Sequence, residues 1–144
     1  MTTTTIETRR GWMSAVLWAA ALYNLAWGAW VVLMPNALLD LVGVPRLSPA
    51  GTAIWQCVGM IVGVYGIGYA CAARDPARHW PIVLVGLLGK IFGPIGFVDA
   101  VLVKGIFPRS FGWTILTNDL IWWVPFTLIL VHAYRVNRHT PRLA

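Results

Sequence analysis

Four apolar runs divide this 144-residue chain, at residues 12–34, 51–73, 81–103 and 114–134. A helix rises about 1.5 Å per residue and a hydrocarbon core is about 30 Å thick, so each run can cross a bilayer. In lipid every backbone polar group must be satisfied internally, and a lone segment achieves this only as a helix. The expected fold is an all-α integral membrane protein, with four antiparallel transmembrane helices in a bundle. Composition supports this. Residues are 58% hydrophobic and 11% charged, against about 25% charged in a soluble domain. Nine Trp suit the interfaces and fourteen Gly let helices come close.

The segments between the runs are short and polar. Residues 1–11, rich in Thr, read as a disordered tail, and 135–144 as a basic one. Residues 12–134 then form a single domain. In the first connection Leu38, Leu41 and Val42 have helical spacing, with Gly43 and Pro45 ending the pattern. This predicts a short interfacial helix. The net charge of +6 sits between the runs and signals topology rather than nucleic-acid binding. Arg9, Arg10, Arg74, Arg78, Arg135, Arg138 and Arg142 fall on one side, and Arg46, Lys104 and Arg109 on the other. Seven against three puts both termini in the cytoplasm, here of a bacterial inner membrane. The first run is too long for a cleavable leader and lacks a small-residue cleavage site.

The third run carries a lysine at its centre. A cation there costs about 2.5–3.5 kcal/mol on insertion scales, so Lys90 should face protein and have a partner. Gly86, Gly89, Gly93 and Gly96 are spaced three and four apart and bare one side of the helix. Pro94 has no N–H, which frees the carbonyl of Lys90 from its helical bond. Asp99 lies about 13 Å along the same helix, too far to pair with Lys90. In the second run Gln56, Gly59, Gly63, Gly66 and Ala70 form a seam of small residues headed by an amide.

Depths along the helices place Lys90, Asn24, Asp119, Asn118 and Gln56 about 14 to 22 Å from the cytoplasmic edge. Five polar residues from four runs thus share one layer. Lys90 can snorkel toward Asp119, and the amides can satisfy what remains. The bland interpretation is a salt bridge that fixes the bundle. The functional one is a polar pocket walled by Trp27, Trp122, Trp123 and Tyr65. Asn24, Gln56, Lys90, Asn118, Asp119 and Trp122 would then bind a ligand, with Asp119 and Lys90 the candidates for acid–base catalysis.

Other chemistry finds no residues. Cys57 and Cys71 lie on one run about 21 Å apart and cannot bond to each other. There is no CxxC, zinc spacing, Walker motif, GxSxG or HExxH, so no cofactor or metal is implied. His79, His132 and His139 sit at the cytoplasmic edge, not facing each other within the bundle as a membrane haem needs. Small multidrug transporters also have four spans, but use a carboxylate in the first, which is absent here.

The segments Gly89-Lys90-Ile91-Phe92-Gly93-Pro94 and Asn118-Asp119-Leu120-Ile121-Trp122-Trp123-Val124-Pro125-Phe126 resemble a pattern in short uncharacterised bacterial four-span membrane proteins. Some of those carry the label alkyl hydroperoxide reductase. The resemblance covers the second half of the chain and implies the four-span fold. Peroxidase chemistry of the labelled kind needs an activated thiolate, and Cys57 and Cys71 lie in apolar spans that disfavour one. Three functions remain open. The chain could bind or move a small lipophilic or amphipathic ligand, act as a membrane enzyme through Asp119 on a lipid-like substrate, or dock a larger complex or a second copy through its glycine seams.

Overall fold

The structure, a computed structural model, describes residues 3–139, with side chains for 11–138. Arg9, Arg10, His139 and Arg142, used above for charge or chemistry, lie outside the described side chains. The chain is a small polytopic membrane protein, all helical among the described residues. Its four spanning helices cover Gly11–Leu33, Pro49–Ala73, Trp80–Val103 and Arg109–Arg138.

Helix α1 (Thr3–Leu33) contains the first span. It begins inside the segment expected to be a disordered tail, because extending a nucleated helix costs little per residue. Helix α2 (Pro35–Val42) is the short connecting helix, with Pro35 in its first turn and Gly43 closing it at φ 74°. It buries Leu38, Leu39 and Val42. Leu41 is exposed, as suits a side chain of an interfacial helix turned away from the bundle. Helix α3 (Pro49–Ala73) opens on Ser48, whose hydroxyl accepts the N–H of Gly51 at 3.1 Å.

Helices α1 and α3 meet along the expected seam. A Cβ at Gly28 would lie 2.6 Å from the Gly59 carbonyl oxygen, and one at Gly66 would lie 2.9 Å from that of Ala21. The two backbones touch, so van der Waals contact replaces the hydrophobic driving force that lipid removes. Gln56 completes the seam by donating Nε2 to the Val32 carbonyl at 2.8 Å.

The second pair of helices is irregular. Helix α4 (Trp80–Phe97) runs through Pro94 and continues as a π-helical segment, Val98–Val103. Asp99 in that segment pairs with Lys104 at 2.5 Å, half exposed at the end of the span. A 3-10 turn (Arg109–Phe111) leads to α5 (Gly112–Ile115), a second π segment (Leu116–Leu120) and α6 (Ile121–His139).

Two apolar clusters bracket the middle of the bundle. Toward the termini, Leu17, Tyr69, Leu87, Phe126 and Ile129 pack together. Toward the opposite loops, Val31 packs with Leu38, Leu39, Val42 and Val44 from the first connection, and with Phe107 and Phe111 from the last. Ser110 ties these two connections by donating to the Val42 carbonyl at 2.5 Å. Asn24, Lys90 and Asp119 lie between the clusters, all buried, at 2%, 4% and 5% exposure.

Candidate functional site

Helices α4 and α6 are joined by an exchange of hydrogen bonds. The carbonyl of Lys90, which Pro94 leaves without a helical donor, accepts the Trp123 indole N–H at 2.9 Å. In return Lys90 Nζ donates to the main-chain carbonyl of Asn118 at 2.6 Å. Asn118 lies in the π segment, where the i to i+4 ladder is interrupted and carbonyls become available to side chains. The α4 ladder is broken at Pro94, where α6 supplies the Trp123 donor. The Lys90 ammonium also stands 5.8 Å from the Trp122 ring centroid, within cation–π range.

The direct Lys90–Asp119 ion pair expected from the sequence is not formed. The lysine spends its hydrogen bond on the peptide next door, because the π segment offers that carbonyl within reach. Asp119 Oδ1 instead accepts from Asn118 Nδ2 at 3.0 Å. The other oxygen, Oδ2, packs on the bare backbone of Gly93, where an added Cβ would lie 2.9 Å from it. The two groups still act on each other electrostatically across one space.

That space is a cavity of about 170 Å³, lined by Asn24, Tyr65, Tyr69, Lys90, Asn118 and Asp119 among others. Tyr69 reaches it over Gly86, which leaves room for its phenol, and packs edge-on against Phe126 at 5.1 Å. On the lip, Ile61 of α3 and Gly89 of α4 are both exposed. A Cβ added at Gly89 would meet nothing within 4 Å. The cavity therefore opens sideways, between the second and third spans.

Four of the polar residues singled out in the sequence come together here: Asn24, Lys90, Asn118 and Asp119. Gln56 does not join them, since the α1–α3 seam holds it on Val32. Trp122 stands behind Lys90, between Tyr23 at 5.9 Å and Phe126 at 6.0 Å. Trp27 packs on Trp55 at 5.7 Å in the loop-side cluster, away from the cavity. Tyr69 was missed. Its signal was present, because it lies four residues from Tyr65 and so shares its helix face.

Among the described residues, three buried polar side-chain atoms have no hydrogen-bond partner: Asn24 Oδ1, Asn118 Oδ1 and Trp122 Nε1. Buried polar groups are normally satisfied, and an orphan costs about 1–3 kcal/mol. Two of the three belong to residues lining one cavity. Chemically, the arrangement offers hydrogen-bond acceptors, one carboxylate and one ammonium, enclosed by aromatic rings and open to lipid.

Compared with protein-family models, with curated proteins and with solved structures, the chain matches none.

Proposed function

We propose that this membrane protein binds or moves a small lipophilic molecule with a polar head, taken up sideways from the bilayer. One observation carries the proposal. The amide oxygens of Asn24 and Asn118 are buried without donors on residues that line a single cavity. Both oxygens are fully covered, so a head reaches them only once their side chains shift toward the cavity, and donating to them would then remove both penalties. Lys90 and Asp119 supply the charged centre, and Tyr65 and Tyr69 the aromatic wall. Trp122 acts behind the wall, by holding the ammonium. Both termini are assigned to the cytoplasm on the excess of Arg on that side, and the protein to a bacterial inner membrane on its resemblance to short bacterial four-span proteins.

The test is mass spectrometry of organic extracts from protein purified in native lipid discs. The wild type should carry a lipophile near one per chain. Asn24→Leu with Asn118→Leu should lose it while keeping a cooperative melt. A wild type that carries nothing specific, or a double variant that retains the same molecule, overturns the proposal.

One observation favours a catalytic variant of the same site. Among the described residues none donates to Asp119 Oδ2, which packs on the Gly93 backbone, so it is free to accept a proton from a bound head. Asp119→Asn should then abolish turnover of the co-purified lipophile and spare its binding. Turnover that survives the substitution removes the catalytic assignment. The close glycines of the seam, Gly28, Gly59 and Gly66, are used within the chain and favour no docking partner.

A further inference from the structure

On the reading that the cavity binds a lipophile, we infer that the head it takes is a neutral single-ring phenol or hydroquinone, with an apolar tail leaving between Ile61 and Gly89. Size limits the head first. A cavity of about 150 Å³ lined by aliphatic and aromatic side chains holds one benzene ring, and this one measures about 170 Å³. A fused sterol nucleus exceeds it.

Charge limits it next. Lys90 and Asp119, groups of opposite charge that influence each other, both lie in the lining. An added anion would stand beside a buried carboxylate and an added cation beside a buried ammonium. Either leaves an uncompensated charge in a low dielectric.

Hydrogen bonding then fixes the polarity. Asn118 cannot turn its amide, because Nδ2 must donate to the Asp119 carboxylate at 3.0 Å. Its Oδ1 is therefore an acceptor, and it has no donor. Asp119 Oδ2 is a second acceptor without one. Lys90 donates one of its three N–H groups to the Asn118 main chain and keeps two that a hydroxyl oxygen can accept. What the two acceptor oxygens lack is an O–H. A quinone, ketone or ester head brings only acceptors and leaves these oxygens as they are. Tyr65 and Tyr69 provide ring surface for an aromatic head, and the exposed lip between α3 and α4 gives the tail a lipid path.

The experiment measures binding of three matched probes to the protein in phosphatidylcholine nanodiscs, against empty discs. The probes are 4-decylphenol, decylbenzene and 4-decylbenzoate. The phenol should bind saturably at one per chain and about tenfold tighter than the other two, the worth of about one hydrogen bond. Asn118→Leu should bring the phenol down to the level of decylbenzene. Gly89→Trp, placed where the backbone has open space, should weaken the phenol and decylbenzene alike by closing the lip. If the benzoate or the bare hydrocarbon binds as tightly as the phenol, the head assignment fails and the cavity remains a lipophile site. If no probe exceeds empty discs and Gly89→Trp changes nothing, the head assignment fails together with the binding reading.

Discussion

The two halves of this bundle solve the same problem in opposite ways. Helices α1 and α3 meet through bare backbone at Gly28, Gly59 and Gly66, and the one long polar side chain on the seam, Gln56, is capped at 2.8 Å by Val32. Helices α4 and α6 carry prolines, lie next to π segments, and are joined by a lysine and a tryptophan reaching main-chain carbonyls. Adhesion in the first pair is dispersion between closely set backbones. In the second it is a few polar bonds replacing ladder bonds that the helices forgo. Only the second pair carries charge into the layer where the cavity lies. A regular, close-packed pair serves as a wall, and an irregular pair furnishes carbonyls, donors and space.

The largest effect should come from spoiling the wall. Gly28→Val puts a Cβ against the Gly59 oxygen at 2.6 Å, and that backbone cannot turn aside. We expect a loss of about 3 kcal/mol, the upper end for overpacking, read as a lower midpoint in an SDS titration of the detergent-solubilised protein. Gly63→Ala should be near neutral, because an added Cβ there meets nothing within 4 Å. Equal losses at both positions would mean that closeness of backbones is not what joins α1 to α3.

A smaller loss should follow from removing the lysine. Lys90→Met deletes a charge-assisted bond to the Asn118 carbonyl and should cost about 2 kcal/mol in the same titration. Asp119→Asn leaves that bond intact and should cost less. The reverse order would restore the direct Lys90–Asp119 pair that the sequence suggests and would erase the distinction between a carbonyl clasp and a salt bridge.

This contrast also marks what the sequence could tell. The four spans, the seam from Gln56 to Gly66, and the carbonyl freed by Pro94 all follow from length, spacing and the missing proline N–H. They are local properties. The acceptor of Lys90 is not local. Placing Asn118, Asp119 and Trp122 on a regular wheel ignores the π segment at Leu116–Leu120, where extra residues per turn rotate everything that follows relative to what precedes. Nothing in the sequence of that stretch announces the change of pitch. The fate of Gln56 was hidden for a related reason: depth alone placed it in the polar layer, and only the packing of α1 on α3 brings the Val32 carbonyl to it.

The smallest effect bears on whether the clasp repairs a break or merely decorates it. Trp123 donates to a carbonyl that lacks a helical donor only because residue 94 is proline. Trp123→Phe should cost about 1 kcal/mol, the usual worth of a neutral hydrogen bond. In a Pro94→Ala background the alanine N–H can close the ladder onto Lys90, so the same substitution should cost roughly half as much or less. The difference between the two losses is the coupling in a double-mutant cycle, and it should be about 0.5 kcal/mol or more. A coupling near zero would show that the indole bond does not stand in for the ladder bond. The carbonyl would then be satisfied some other way, and the irregular pair would owe its stability to ring packing, as an ordinary pair of helices does. A clear coupling would make proline and tryptophan one device, the break on α4 and its repair from α6, holding Lys90 at the edge of the cavity.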